Sequence, residues 1–225
     1  MRKSIFVGLA VALFASSAIA DEIWVSNEKD DTISVIDVET LEVVRTLEVG
    51  ERPRGITFAQ DHSVLYLCAS DSDTVQVIDP ETGKILHELP SGEDPEQFVL
   101  HPDNRHLYIA NEDDNLVTVV DIETNKVLAE VPVGVEPEGM GISPDGAVLV
   151  NTSETTNMAH FIDTSTYAIF DNVLVDSRPR VAQFNQDGSR VWVSSEIGGT
   201  VSVIDTGTRD IIQKIEFEVQ GVPRE

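Results

Sequence analysis

The chain has 225 residues, 40 acidic against 15 basic, giving a formal charge of −25, with 41% hydrophobic residues and a single cysteine. That charge argues against a nucleic-acid partner, because phosphate binding needs a basic surface that releases counterions, and it disfavours an anionic membrane surface for the same Coulombic reason. One cysteine excludes an intramolecular disulfide, a CxxC pair, a cysteine zinc cage and covalent c-type haem, while the even spread of apolar residues excludes a disordered acidic tail.

Arg2 and Lys3 precede an apolar run from Ile5 to Phe14, followed by Ser16, Ser17 and the small-residue exit Ala18-Ile19-Ala20. This pattern predicts a secretory signal over 1–20, cleaved before Asp21. The run is shorter than the roughly 20 apolar residues of a membrane span, so no stable membrane insertion is expected after cleavage. Export without disulfides points to the periplasm.

From Asp21 onward one unit recurs. ISVID (Ile33 to Asp37), VQVID (Val75 to Asp79), VTVVD (Val117 to Asp121), AHFID (Ala159 to Asp163) and VSVID (Val201 to Asp205) close on aspartates 42 residues apart. Pro53, Pro95, Pro137 and Pro179 keep that spacing, as do Asp61, Asp103, Asp145 and Asp187. Each repeat reads as four short strands: a Pro-led segment, a stretch such as LYLCA (Leu65 to Ala69), the VxVID strand, and an outer segment such as KILHEL (Lys84 to Leu89). Alternating β-branched residues between Gly, Pro, Asn and Asp give strands. About forty residues per four-stranded unit is the arithmetic of a β-propeller blade.

IWVSN (Ile23 to Asn27), LYLCA and LYIAN (Leu107 to Asn111), each followed by a loop and a VxVID-type strand, resemble YVTN-type propeller repeats. NTSETTNMAHFIDT (Asn151 to Thr164), DNVLVDSRPR (Asp171 to Arg180) and VSSEIGGTVSVID (Val193 to Asp205) are similar to the propeller proteins associated with PQQ-dependent catabolism. The expected fold is an all-β propeller of four-stranded blades. Strands of a first blade fill 21–49, full blades fill 50–91, 92–133, 134–175 and 176–219, and 220–225 starts the next. With the Pro-led segment innermost, that makes nineteen strands. The resemblance implies seven blades, roughly 300 residues of 42-residue repeats, so the chain is expected to be a C-terminally truncated piece with about 4.75 blades.

Candidate site residues lie in the loops entering each blade. Arg54, Glu96, Glu138 and Arg180 follow the repeat proline, and Arg52, Asp94, Glu136 and Arg178 precede it. Proline holds the chain extended, so these side chains are expected at the mouth of the central channel. A ring of arginines and carboxylates there suits a polar ligand or protein partner; equally, it suits a structural ring of inter-blade ion pairs, weak if exposed. A second candidate is the blade over 134–175, where His160 stands at the position of Ser34, Gln76, Thr118 and Ser202, and Asn151 at that of Val25, Leu67, Ile109 and Val193. These departures, with Asp176 in place of Gly50, Gly92 and Gly134, read either as a local polar site or as drift within the repeat.

No metal site is expected: no HExxH or HxH occurs, His62, His101 and His106 read as solvated turn residues, and the spacing of a calcium loop is absent. The carboxylates of the hairpin loops, Glu28 to Asp31 and its repeats, read as a solvated acidic rim. Cys68 reads as a small buried filler, and no cofactor is expected. The resemblance implies an exported, non-enzymatic propeller, accessory to PQQ-dependent alcohol oxidation and associated transport. Its partner would be a periplasmic protein or small polar ligand. The alternative is a lactonase-like propeller hydrolase of a small ester or lactone, which needs convergent acid–base groups at the channel mouth.

Overall fold

The computed structural model describes residues 21–217; the expected leader over 1–20 and the segment 218–225 lie outside the described residues. Nineteen strands form five antiparallel sheets in sequence order. β1 (Glu22–Asn27), β2 (Thr32–Asp37) and β3 (Val43–Glu48) make a three-stranded sheet. Blade two holds β4 (Pro53–Phe58), β5 (Leu65–Ala69), β6 (Thr74–Ile78) and β7 (Ile85–Pro90). Blade three holds β8 (Pro95–Leu100), β9 (His106–Asn111), β10 (Leu116–Asp121) and β11 (Lys126–Pro132). Blade four holds β12 (Pro137–Ile142), β13 (Val148–Ser153), β14 (Met158–Asp163) and β15 (Ala168–Leu174). Blade five holds β16 (Pro179–Phe184), β17 (Arg190–Ser195), β18 (Thr200–Asp205) and β19 (Ile211–Glu216).

The Pro-led strands are innermost: β4 packs on β8, β8 on β12 and β12 on β16, around the channel. Proline suits these positions because its missing N–H costs no ladder bond at the first residue of an edge strand. Close approach also shapes them. A Cβ on Gly139 would lie 2.5 Å from the Arg180 carbonyl, so only glycine lets β12 come that near to β16.

The core is divided into slabs between blades. Along β5, Leu65 and Leu67 face the first blade with Ile33 and Val35. The intervening Tyr66 and Cys68 face blade three with Leu107 and Ile109. Tyr108 then faces blade four beside Leu149 and Ile162, and Val150 and Phe161 face blade five. A period-2 strand with two buried faces reads as a continuous apolar run, which is why LYLCA lacks polar alternation. Burying one Leu of such a slab stabilises by ~1.5–3 kcal/mol. The outer strands bury Leu89 and Val131 in these slabs but expose Val43, Val44, Ile85, Leu86, Val127 and Leu128.

Both aspartate ladders have local causes. Asp37, Asp79, Asp121, Asp163 and Asp205 each accept backbone N–H bonds from residues two and three further on. They thereby close the hairpin to the outer strand. Asp61, Asp103, Asp145 and Asp187 accept the N–H two residues on, at 2.9–3.0 Å, in the turn from innermost to second strand. The outer-strand pairing slips once per sheet, after Val35, Val77, Val119, Phe161 and Val203, a bulge repeated every 42 residues that adds twist. Among the described residues no helix is long and apolar enough to cross a membrane.

Candidate functional site

A latch repeated at each blade junction builds the channel mouth. Arg52, Asp94, Glu136 and Arg178, each immediately before the proline, adopt positive φ of 51–59°. Non-glycine residues avoid that region, and a following proline restricts them further. The conformation is held from both sides. Their N–H groups donate to Asp31, Asp73, Asn115 and Asn157, each from the hairpin of the preceding blade, at 2.9–3.1 Å. Their carbonyls accept N–H bonds from Ser70, Glu112, Glu154 and Glu196 in the blade being entered, at 2.8–3.1 Å.

The kink aims the flanking side chains at one another. Arg52 makes a two-point contact with Asp94, Nη1 to Oδ1 at 2.7 Å and to Oδ2 at 2.9 Å, and its Nη2 donates to Glu96 Oε1 at 2.7 Å. Arg54 Nη2 touches Glu96 Oε2 and reaches two blades along to Glu138 Oε1 at 3.0 Å, while its Nη1 binds Glu28. Glu138 Oε1 also meets Arg180 Nη2 at 2.9 Å. Arg180 and Arg178 both pair with Glu154, Arg178 Nε at 2.7 Å, and both lie near Glu196. The result is a continuous chain of ion pairs across all five sheets.

Glu154 of this chain is buried to 7% exposure, and its two carboxylates on the inner strands are buried deeper, Glu96 fully and Glu138 to 3%, so the pairs at the centre are not the exposed kind that contributes little. Glu96 and Glu138 each keep Oε2 without an aligned hydrogen bond; for Glu96 the Arg54 contact on that oxygen is an ion contact alone. Burial, and then the Glu138 charge, push the Glu96 carboxyl up to about 8, against the pull of Arg54 and Arg52. Burial likewise raises Glu138, opposed by Arg180 and Arg54. The mouth is thus a fixed lattice of guanidinium groups holding a carboxylate pair that resists full ionisation.

Beside the ring, a cleft of about 400 Å³ between blades four and five is lined by Glu112, Glu136, Glu154, Asn157, Arg178 and Ile197, among others. A larger cleft, about 840 Å³, lies away from the ring at the Trp24–Phe58–His62 edge. The hairpin carboxylates were expected to be a solvated rim. Glu28 and Glu196 are half-exposed, but Glu154 is 7% exposed and belongs to the ion-pair chain.

Asn151 and His160 stand directly opposite each other on β13 and β14, yet they bond to different partners. Asn151 Nδ2 donates to the Gly139 carbonyl at 3.2 Å, and its Oδ1 is buried without a partner. His160 Nε2 accepts the Gly134 N–H at 3.0 Å and lies 3.1 Å from Ser153 Oγ. The acceptor role of Nε2 places the proton on Nδ1, which donates to Asn172 Oδ1 at 2.5 Å. Burial lowers the His160 pKa, with the Asn172 bond opposing. In blade two, Gln76 Oε1 accepts the Gly50 N–H at 2.9 Å in the same way, so His160 performs a task the repeat assigns to its third strand. Asp176 instead takes Thr200 Oγ1 and Lys214, both at 2.7 Å.

Sequence reasoning missed two groupings. The latch escaped because each Asp or Asn caps a residue 21 positions on, in another blade. His101 and His106 read from the sequence as solvated turn residues; the structure gathers them with Asp103 on one turn, with ligand atoms within 4.8 Å of one another. A histidine on either side of a ladder aspartate, in one repeat only, was the available signal.

Two family models match: the YNCE-like beta-propeller over residues 7–110 and the cytochrome D1 heme domain over 59–173. No curated protein matches. Among solved structures, Kuenenia stuttgartiensis hydrazine synthase is similar at a TM-score of 0.75 and 23% identity, over 82% of this chain. This chain spans 60% of the length of that one, and at such identity the likeness concerns the fold alone. From residue 21 onward the matched segments fall on the repeats whose sheets, inner strands and inter-blade slabs are described above, and the chain belongs to the β-propeller family that these models describe.

Proposed function

We propose that this chain is an exported, non-enzymatic binding propeller whose acidic channel mouth docks a basic surface of a periplasmic protein. Its role would be accessory to PQQ-dependent alcohol oxidation and associated transport. The observation that carries this reading is the continuous chain of ion pairs across the five sheets. Its four arginines are all engaged, and Glu28, Glu112, Glu136 and Glu196 leave an excess of acid at the rim and the adjoining cleft. Such a field attracts a cationic partner and sets orientation and on-rate more than affinity. The PQQ context and the export rest on the sequence resemblance and on the leader pattern over 1–20.

Binding of the full chain to a purified PQQ-dependent alcohol dehydrogenase, measured by calorimetry at low and high salt, tests this. Binding that weakens with salt and is lost in E112K/E196K supports the reading; absence of binding at both salt concentrations overturns it.

The Glu96–Glu138 pair favours one second reading, the lactonase-like hydrolase. A buried carboxyl titrating near 8 is suited to hold or deliver a proton near neutral pH. Ester or lactone turnover abolished by Glu96→Gln would establish it in place of the binding role.

A further inference from the structure

On the face opposite the ring, the turn that opens blade three carries His101, Asp103 and His106. The repeat supplies an internal control for this turn. At the position of His101 the other blades hold Ala59, Ser143 and Asn185, and at that of His106 they hold Val64, Val148 and Arg190. All four turns close alike, with the ladder aspartate accepting the N–H two residues on. Folding of the turn therefore requires neither histidine.

Blade three also orients them. His101 Nε2 lies 3.1 Å from the Gly146 carbonyl, which only accepts, so the ring proton sits on Nε2 and the Nδ1 lone pair faces Asp103. A metal-binding histidine is held in this way, with its second nitrogen donating to a carbonyl. Gly146 has φ of +76°, and a Cβ there would lie 2.5 Å from His101 Nε2, so glycine alone permits this close packing. From the other side blade two braces the turn. The Gln60 N–H donates to Asn104 Oδ1 at 3.0 Å, and Gln60 Nε2 donates to the Pro102 carbonyl at 2.9 Å.

The donor atoms converge. His101 Nδ1 is 3.1 Å from Asp103 Oδ1, and His106 Nδ1 is 2.6 Å from Asp103 Oδ2. A tetrahedral Zn²⁺ with bonds of about 2.0–2.1 Å sets its ligands about 3.3 Å apart, close to the first separation and within a small side-chain shift of the second. The three side chains are 19%, 37% and 28% exposed, open enough for an ion to enter. Two imidazoles and a carboxylate suit a borderline divalent transition ion rather than Ca²⁺ or Mg²⁺.

We propose that His101, Asp103 and His106 form a surface site for one divalent transition-metal ion, of which Zn²⁺ is the representative, with a coordination position left toward solvent. On binding, the ion takes the Nδ1 lone pair of His106, whose proton passes from the Asp103 hydrogen bond to Nε2 of the same ring by exchange with solvent, and it takes the His101 Nδ1 lone pair in place of the Asp103 N–H. The site does not depend on the docking role of the opposite face.

The test is calorimetric titration of the tag-free, chelator-stripped full chain with Zn²⁺, beside the variant H101S/H106V. That variant restores the residues blade four carries at these positions, so the turn is expected to fold. One Zn²⁺ per chain is expected. Loss of both imidazoles should weaken binding by more than the 10–100-fold that an outer-shell partner contributes, with the thermal transition of the metal-free protein unchanged. Equal Zn²⁺ binding by both proteins, or no binding by the native chain up to about 1 mM, a free energy of only about −4 kcal/mol, overturns the proposal.

Discussion

The two faces of the propeller use the same 42-residue period in opposite ways. On the turn face, Asp61, Asp103, Asp145 and Asp187 repeat without change, and each accepts an N–H from its own turn. On the mouth face the period is kept in position but not in chemistry: Arg52, Asp94, Glu136, Arg178, and Arg54, Glu96, Glu138, Arg180. All of those side chains but Glu136, which bonds to Thr155 of its own blade, partner residues of other blades, Arg54 reaching Glu138 two blades away. A ladder position that is constant closes local structure, whereas one that alternates in charge joins blades and builds a site.

The comparison breaks most readily at Arg54. Arg54→Ala strips a guanidinium from two buried carboxylates, and the loss of one partner from a buried pair costs about 3–5 kcal/mol. Denaturant melts should show that loss, and a shift below 1 kcal/mol would mean that the ring is not a coupled unit. Glu96→Gln sharpens the same point through pH. The Glu96 carboxyl is raised from 4.5 to about 8 in the folded chain, so the native state holds a proton the unfolded state has released. Its contribution to stability is full below pH 4.5 and declines as pH rises to about 8. His160 acts oppositely, but only below 6.5, its ordinary value. Between pH 6.5 and 8 the native melting temperature should therefore fall and that of E96Q stay flatter; parallel profiles would contradict the assignment.

His160→Ala leaves the Gly134 N–H without its acceptor, a loss of about 1–3 kcal/mol, whereas His160→Gln copies Gln76 and should be nearly neutral in thermal melts. At the latch, Asn115→Gly keeps the backbone but removes the acceptor of the Glu136 N–H. About 1 kcal/mol is expected from one hydrogen bond, with faster amide exchange at Glu136 as the specific signature. Asp187→Ala, which disturbs one exposed turn, should give the smallest change in melting temperature of the set.

Strand order, the innermost place of the Pro-led segments and the meeting of Arg52, Arg54, Glu96, Glu138, Arg178 and Arg180 were legible in the sequence, because a strict period fixes which residues lie at equal height in neighbouring blades. Burial was not legible. Glu96 and Glu138 look like rim residues until the inner strands pack against one another. Nor could spacing reveal that Asn151 and His160, cross-strand neighbours, would satisfy separate backbone groups. The His101–Asp103–His106 turn carries neither an HExxH nor an HxH signature, and only its folding brings donors two and three residues apart onto one point.

The latch carries one last consequence. Each junction is made by an acceptor from one repeat and a kinked donor from the next, so the unit that assembles is not the unit that the sequence repeats. Duplicating or deleting a whole multiple of 42 residues keeps every junction intact, because it returns an Asp or Asn to face a pre-proline kink. Shuffling pieces cut elsewhere does not. Gly199 stands in the place of those acceptors with φ of +61°, and as a glycine it brings no side-chain acceptor to that position. Recombination between such genes would leave working rings only when the cut respects those junctions, and blade number can then drift while blade geometry stays fixed.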